Sequence, residues 1–233
     1  MGQTKPIAGQ FIASESAGAV STLLLRPRDA RALLLLAHGA GAGMRHRFME
    51  RIADELAGRG IATLRYQFPF MEAGGRRPDR RPLLLKTIHA AVAAATEQAR
   101  DLPVFAGGKS MGGRMTSLAC AEAALAGVRG IVFIGFPLHP SGRPANDRAE
   151  HLGDVAIPML FLQGTRDKLA ELELIQTVAA QLGEAATLHV VDGADHGFKV
   201  LKRSGRSDDS VFEELSETTE NWIRARLEPA GGG

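Results

Sequence analysis

Short, almost wholly apolar runs alternate along the chain with longer stretches in which apolar residues return every three or four positions. The runs of strand length are Ala19 to Leu25, Ala32 to Ala37, Ile61 to Tyr66, Val104 to Ala106, Gly130 to Ile134, Pro158 to Gln163 and Thr187 to Val191. Runs without a polar face suit strands covered on both sides, and strands alternating with helices mark βα units around a mostly parallel sheet. The predicted fold class is α/β: a central sheet of about seven strands with helices on both faces.

The intervening helices carry start and stop signals. Arg47 to Ala57 sets Phe48, Ile52 and Leu56 on one face and is expected to stop at Gly58. Pro82 can open the next helix, whose buried stripe is Ile88, Val92 and Ala95. A third helix follows Ser110 directly and runs to about Ala126, and a fourth spans Glu171 to Leu182. The last is predicted to begin at Ser210, with Glu213 completing a capping box, and to turn Leu215, Trp222 and Ile223 inward. Trp222 and Cys120 are read as packing residues. Between Ile134 and Pro158 lie some two dozen residues, too few for a large lid.

No internal repeat or linker breaks this pattern, so residues 1–233 are read as one domain, with 228–233 as a disordered tail. A chain of this length buries enough surface to need neither metal nor disulfide. A single cysteine forms no intrachain disulfide, and the expected compartment is the reducing cytoplasm. The N-terminal residues contain no signal-peptide core, and no apolar run approaches the length of a membrane span. Gly2 does not open a myristoylation motif, because Pro6 stands where Ser or Thr is required. With 28 basic against 26 acidic residues, the net charge of +2 gives no expectation of nucleic-acid binding. The one basic cluster, Arg76, Arg77, Arg80 and Arg81, reads as a solvated loop; attraction of an anionic substrate is the alternative.

Gly108-Lys109-Ser110-Met111-Gly112 fits G-x-S-x-G and sits after a strand and before a helix, where a nucleophile elbow must sit. The turn has to be sharp for the serine to stand clear of the sheet, and glycines at 108 and 112 remove side chains that would collide with backbone. Gly108-Lys109-Ser110 could also end a phosphate-binding P-loop, but that motif needs glycine at 103, and Pro103 is there. Gly39-Ala40-Gly41 hints at a dinucleotide site, yet the third glycine position holds Met44 and no acidic residue ends the next strand.

A serine hydroxyl is a weak nucleophile at neutral pH and needs a base beside it and an acid to orient that base. Asp167, just past one strand, and His196, past the next, follow Ser110 in the order this arrangement requires. Asp192 and Asp195 are competing acids expected to point into their own turn; His38 and His189 are competing bases that look structural. Donors for the oxyanion are expected from the backbone N–H of Met111 and, in the glycine-rich loop His38 to Gly43, from that of Ala40. No cluster with metal-ligand spacing occurs, so neither metal nor cofactor is expected.

Over nearly its whole length the chain resembles the α/β-hydrolase superfamily, and within it the small, lidless, dienelactone-hydrolase-like members. It is similar in particular to the branch that includes subunit 3 of the NSL chromatin complex and a testis-expressed homologue. The segments that carry this are His38-Gly39-Ala40-Gly41-Ala42, Arg65-Tyr66-Gln67-Phe68-Pro69-Phe70, Gly108-Lys109-Ser110-Met111-Gly112-Gly113, Gly135-Phe136-Pro137-Leu138-His139-Pro140 and Gln163-Gly164-Thr165-Arg166-Asp167. The resemblance implies a serine triad and leaves the substrate open; Ser110 stands where dienelactone hydrolases carry cysteine. Arg65, Phe68 and Phe70 are expected near the mouth of the site, with Arg65 either holding its loop through a salt bridge, the preferred reading, or fixing a substrate carboxylate.

The expected activity is that of an esterase-like serine hydrolase acting on small or exposed acyl substrates. The alternative is a hydrolase-fold binding module with little turnover.

Overall fold

The computed structural model describes residues 5–228. Gly2, and the expected tail from residue 229 on, lie outside the described residues. Eight strands form one sheet: β1 (Ile7–Ser14), β2 (Gly18–Leu25), β3 (Ala32–Ala37), β4 (Ile61–Tyr66), β5 (Val104–Lys109), β6 (Val128–Ile134), β7 (Met159–Gly164) and β8 (Ala186–Val191). Their order is β1-β2-β4-β3-β5-β6-β7-β8. The hairpin β1–β2 is antiparallel, β2 meets β4 antiparallel, and every pairing from β4 through β8 is parallel.

The sheet therefore has one strand more than the seven predicted. β1 escapes a periodicity reading because it is an edge strand with most residues exposed, Ile7 and Ile12 among them. It pairs with β2 along its length and buries only the end of one face, where Ala13 is enclosed and Phe11 packs on Tyr66 and the core.

Six helices flank the sheet: α1 (Arg47–Gly58), α2 (Pro69–Glu72), α3 (Arg81–Gln98), α4 (Met111–Glu122), α5 (Leu172–Leu182) and α6 (Asp208–Arg224). Alternation along β3 shows how both faces are used. Leu33, Leu35 and Ala37 join the core beneath α3, α4 and α5, whereas Ala32, Leu34 and Leu36 join the core beneath α1 and α6.

Several predicted boundaries move: β5 runs on to Lys109 rather than ending at Ala106, and β6 begins at Val128 rather than Gly130. α1 includes Gly58, and the left-handed residue that ends its descent is Gly60. α4 stops at Glu122, not near Ala126, because the chain must turn at Leu125–Val128 to enter β6. The capping box of α6 joins Ser207 to Ser210, not Ser210 to Glu213, which places Asp208 and Asp209 in the first turn, where the helix dipole favours them. The connection from β6 to β7 contains only a short 3-10 helix, Asp147–Asp154, packed against α4.

Candidate active site

β5, β7 and β8 run parallel and finish at the same edge of the sheet, so the loops leaving them meet in space. Ser110 follows β5 directly and precedes α4. Its backbone has φ 51° and ψ −116°, a left-handed conformation that an L-residue adopts only under constraint. Close packing supplies the constraint. A Cβ at Gly112 would stand 2.6 Å from the carbonyl oxygens of Ala37 and His38, and one at Gly108 only 2.3 Å from that of Ala37. The elbow is pressed against the end of β3, and the hydroxyl is pushed out over the edge.

Ser110 Oγ lies 2.9 Å from Nε2 of His196. Nδ1 of the same ring lies 2.7 Å from Oδ2 of Asp167. With a proton on Nδ1, as the facing carboxylate favours, Nε2 is left to accept from the serine hydroxyl. Asp167 is 5% exposed, and each of its oxygens has a further donor: Gln163 Nε2 to Oδ2 at 2.5 Å and the Leu169 N–H to Oδ1 at 2.8 Å. Gln163 also accepts the Phe136 N–H, so the amide of one buried side chain ties the carboxylate to the β6–β7 connection.

A cavity of about 580 Å³ opens onto this relay. Gly39, Ala40, Ser110 and His196 border it, and Phe48, Phe198 and Phe212 give it an apolar wall. Met111 begins α4 and Ala40 lies in the loop after β3, where it borders the cavity; among the described residues neither N–H has a hydrogen-bond partner.

Residues 30–224 match the family described as Alpha/beta hydrolase domain. The chain belongs to that family. Two Mycobacterium tuberculosis proteins from different strains, provisionally named phosphoribosyl transferases, are each 33% identical over 178 residues. The match covers 74% of this chain and 38% of theirs, so the chain spans about two fifths of the curated relatives' length. Among solved structures, a dienelactone hydrolase from Anabaena variabilis superposes with a TM-score of 0.76 at 21% identity, covering 97% of this chain and all of that one. A serine hydrolase without lid from Xanthomonas campestris gives 0.71 at 18% identity, covering 95% and 97%. At these identities the likeness is one of fold.

The acids and bases that compete with Asp167 and His196 in the sequence are all engaged elsewhere. Asp195 Oδ1 accepts the N–H groups of Gly197 and Lys199, and Asp192 lies near Thr165. His189 pairs with Glu214 on α6. His38 is fully buried: Nδ1 donates to the Gly39 carbonyl and Nε2 accepts the Phe68 N–H, while burial lowers its pKa and keeps it neutral.

Arg65, Phe68 and Phe70 do not reach the mouth. All three are buried, and none lines the cavity. Arg65 donates to the Met44 carbonyl at 3.2 Å with no carboxylate in ion-pair range among the described residues, so neither reading of it holds as stated. Together with Gln67, which accepts the Met44 N–H, and Phe68 beneath His38, it braces the glycine-rich loop from below. The Arg65–Phe70 segment is a buttress. Gln163 was missed as well, although a lone amide ending the apolar run Pro158–Gln163, four residues before Asp167, was a visible signal.

Proposed function

We propose that the protein is a serine hydrolase acting on ester-type bonds through a covalent acyl-enzyme, with Ser110 as nucleophile, His196 as general base and Asp167 as the orienting acid. The observation that carries this reading is the continuous relay from Ser110 Oγ through both ring nitrogens to Asp167, at 2.9 and 2.7 Å. His196 takes the serine proton as Oγ attacks the acyl carbon, and returns it to the leaving group. Water, deprotonated by the same ring, then releases the acid. The N–H groups of Met111 and Ala40 would receive the negative oxygen of each tetrahedral intermediate.

An open cavity with no covering domain among the described residues suits small or exposed acyl substrates, handled by one cytoplasmic domain without a cofactor. Within its family the chain is read as similar to the branch of the chromatin-complex subunit, a reading supported by the five segments from His38 to Asp167. The phosphoribosyl transferase name belongs to proteins far longer than the part shared here and supplies no role for this relay.

The test is labelling by a fluorophosphonate together with turnover of p-nitrophenyl acetate. Both are expected in the native protein and absent in Ser110→Ala. A native protein that neither labels nor turns over, while holding a partner through purification, would instead be a binding module.

A further inference from the structure

The residue before the proposed nucleophile is a lysine with no part in the relay, and its placement is unusual. Lys109 borders the cavity, and its Nζ donates to the main-chain carbonyl of His196 at 2.7 Å. The ammonium lies 5.7 Å from the ring centre of Phe48 on α1 and 5.5 Å from that of Phe198 in the histidine loop. A point beside the Gly135 Cα, where a Cβ would stand, is 3.1 Å from Nζ, 3.4 Å from Phe198 and 3.5 Å from His196 Cε1, so all three converge there.

No carboxylate comes within ion-pair distance of this ammonium among the described residues. Burial lowers its pKa to about 8, with Asp167 and Asp195 pulling the other way, so it is charged at neutral pH. A methionine would fill the same space without the cost of desolvating a charge, so packing alone does not account for a lysine here.

The loop it touches needs holding. Residues 195–199 form a tight turn around Asp195, with exposed Gly197 next to Phe198, whose φ of 59° is left-handed. A bond to the His196 carbonyl fixes the peptide plane between His196 and Gly197, and thus the backbone from which the imidazole hangs.

We infer that Lys109 is a positioning residue: its ammonium clamps the histidine loop to the nucleophile elbow and so holds the imidazole in line with Ser110 Oγ. The positioning role rests on the proposed reading of His196 as base; the clamp itself does not. Charge-assisted hydrogen bonds are the strong ones, and the ring has little tolerance for displacement.

Two measurements on Lys109→Met separate clamp from catalysis. Amide exchange at Gly197, Phe198 and Lys199 should quicken roughly tenfold or more while the β-sheet keeps its protection. With p-nitrophenyl acetate, kcat should fall by roughly 10- to 100-fold at nearly constant KM, and propylammonium should restore turnover to Lys109→Ala. Unchanged loop protection, or an unchanged kcat, overturns the inference. If the native protein hydrolyses no ester, the hydrolase reading falls and loop exchange alone decides the clamp. Should Lys109→Met not fold, Lys109→Gln, which keeps a neutral donor one atom short of Nζ, is expected to show reduced loop protection, and full native protection there refutes the clamp.

Discussion

His38 offers a quantitative test of how the glycine-rich loop is held. Its ring donates to the Gly39 carbonyl at 2.8 Å, accepts the Phe68 N–H at 3.0 Å, and meets Phe68 and Phe70 edge-on at 5.0 and 5.8 Å. In His38→Ala the buried Phe68 N–H loses its acceptor, at about 1–3 kcal/mol, and the bond to Gly39 contributes about 0.5–1.5 kcal/mol more. Each ring contact adds about 0.5–1.5 kcal/mol. Because contacts of one ring are not independent, the expected loss is roughly 3–5 kcal/mol, a large fraction of a typical domain's stability.

Urea unfolding followed by circular dichroism would read this as a lower midpoint at constant slope. His38→Gln, whose carbonyl can stand near the place of Nε2, should recover about 1 kcal/mol. The pH dependence has a definite sign. The folded pKa is lowered, so the native ring stays neutral while the unfolded one gains a proton as pH falls through about 6.5. The contribution of His38 is therefore fully present above that pH, and is lost as pH falls toward the folded value. The difference in stability between native and His38→Ala protein should shrink over that range. A loss below about 1 kcal/mol, or a difference that grows on acidification, would refute this account of the loop.

Two further substitutions probe the relay itself. Gln163→Leu removes a donor to Asp167 and orphans the Phe136 N–H; kcat should fall roughly 10- to 100-fold with KM nearly unchanged, alongside about 1–3 kcal/mol of stability, and a native rate constant would show the carboxylate needs no such anchor. Ser110→Gly and Ser110→Ala both delete the hydroxyl, but only glycine relieves the left-handed backbone, so Ser110→Gly should melt higher, by roughly 1 kcal/mol in stability; the reverse order would mean that the elbow is unstrained.

Much of this was legible because parallel strands buried on both faces leave long apolar runs, and Leu33 to Leu36 can hardly be anything else. The alternation also located the ends of β7 and β8 to within a residue, and with them Asp167 and His196; β5 runs three residues past the expected Ala106, and there the G-x-S-x-G motif located Ser110. What stayed hidden depends on contacts between distant segments. β1 buries Ala13 and only part of Phe11, too little to show as a period, and the start of α6 reads at Ser210 because Glu213 lies at capping-box spacing from it, whereas Ser207 is the residue that caps the helix. Lys109 fills a position that the elbow motif leaves unspecified, so only the folded chain reveals that it meets the histidine loop. Arg65 and Phe68 were placed at a mouth for want of any sequence signal telling a cavity wall from the packing behind it.

The parallel order of β5 through β8 divides the molecule's freedom to change. Every loop of the proposed site leaves a carboxyl end of a strand, whereas the turns at Ala99–Pro103, Leu125–Gly127 and Gly183–Ala185 enter the amino ends and touch none of it. Gly127 and Gly183 in these turns have left-handed φ of 78° and 58°, so they hold the turns themselves, while an added side chain would meet no neighbour within 4 Å and the space around them is open. Insertions and surface drift can accumulate at that far end without retuning the chemistry. Specificity, by contrast, can be rewritten only in loops that also hold the elbow, its buttress and its clamp in register, so new substrates should come from lengthening those loops outward rather than from altering their roots.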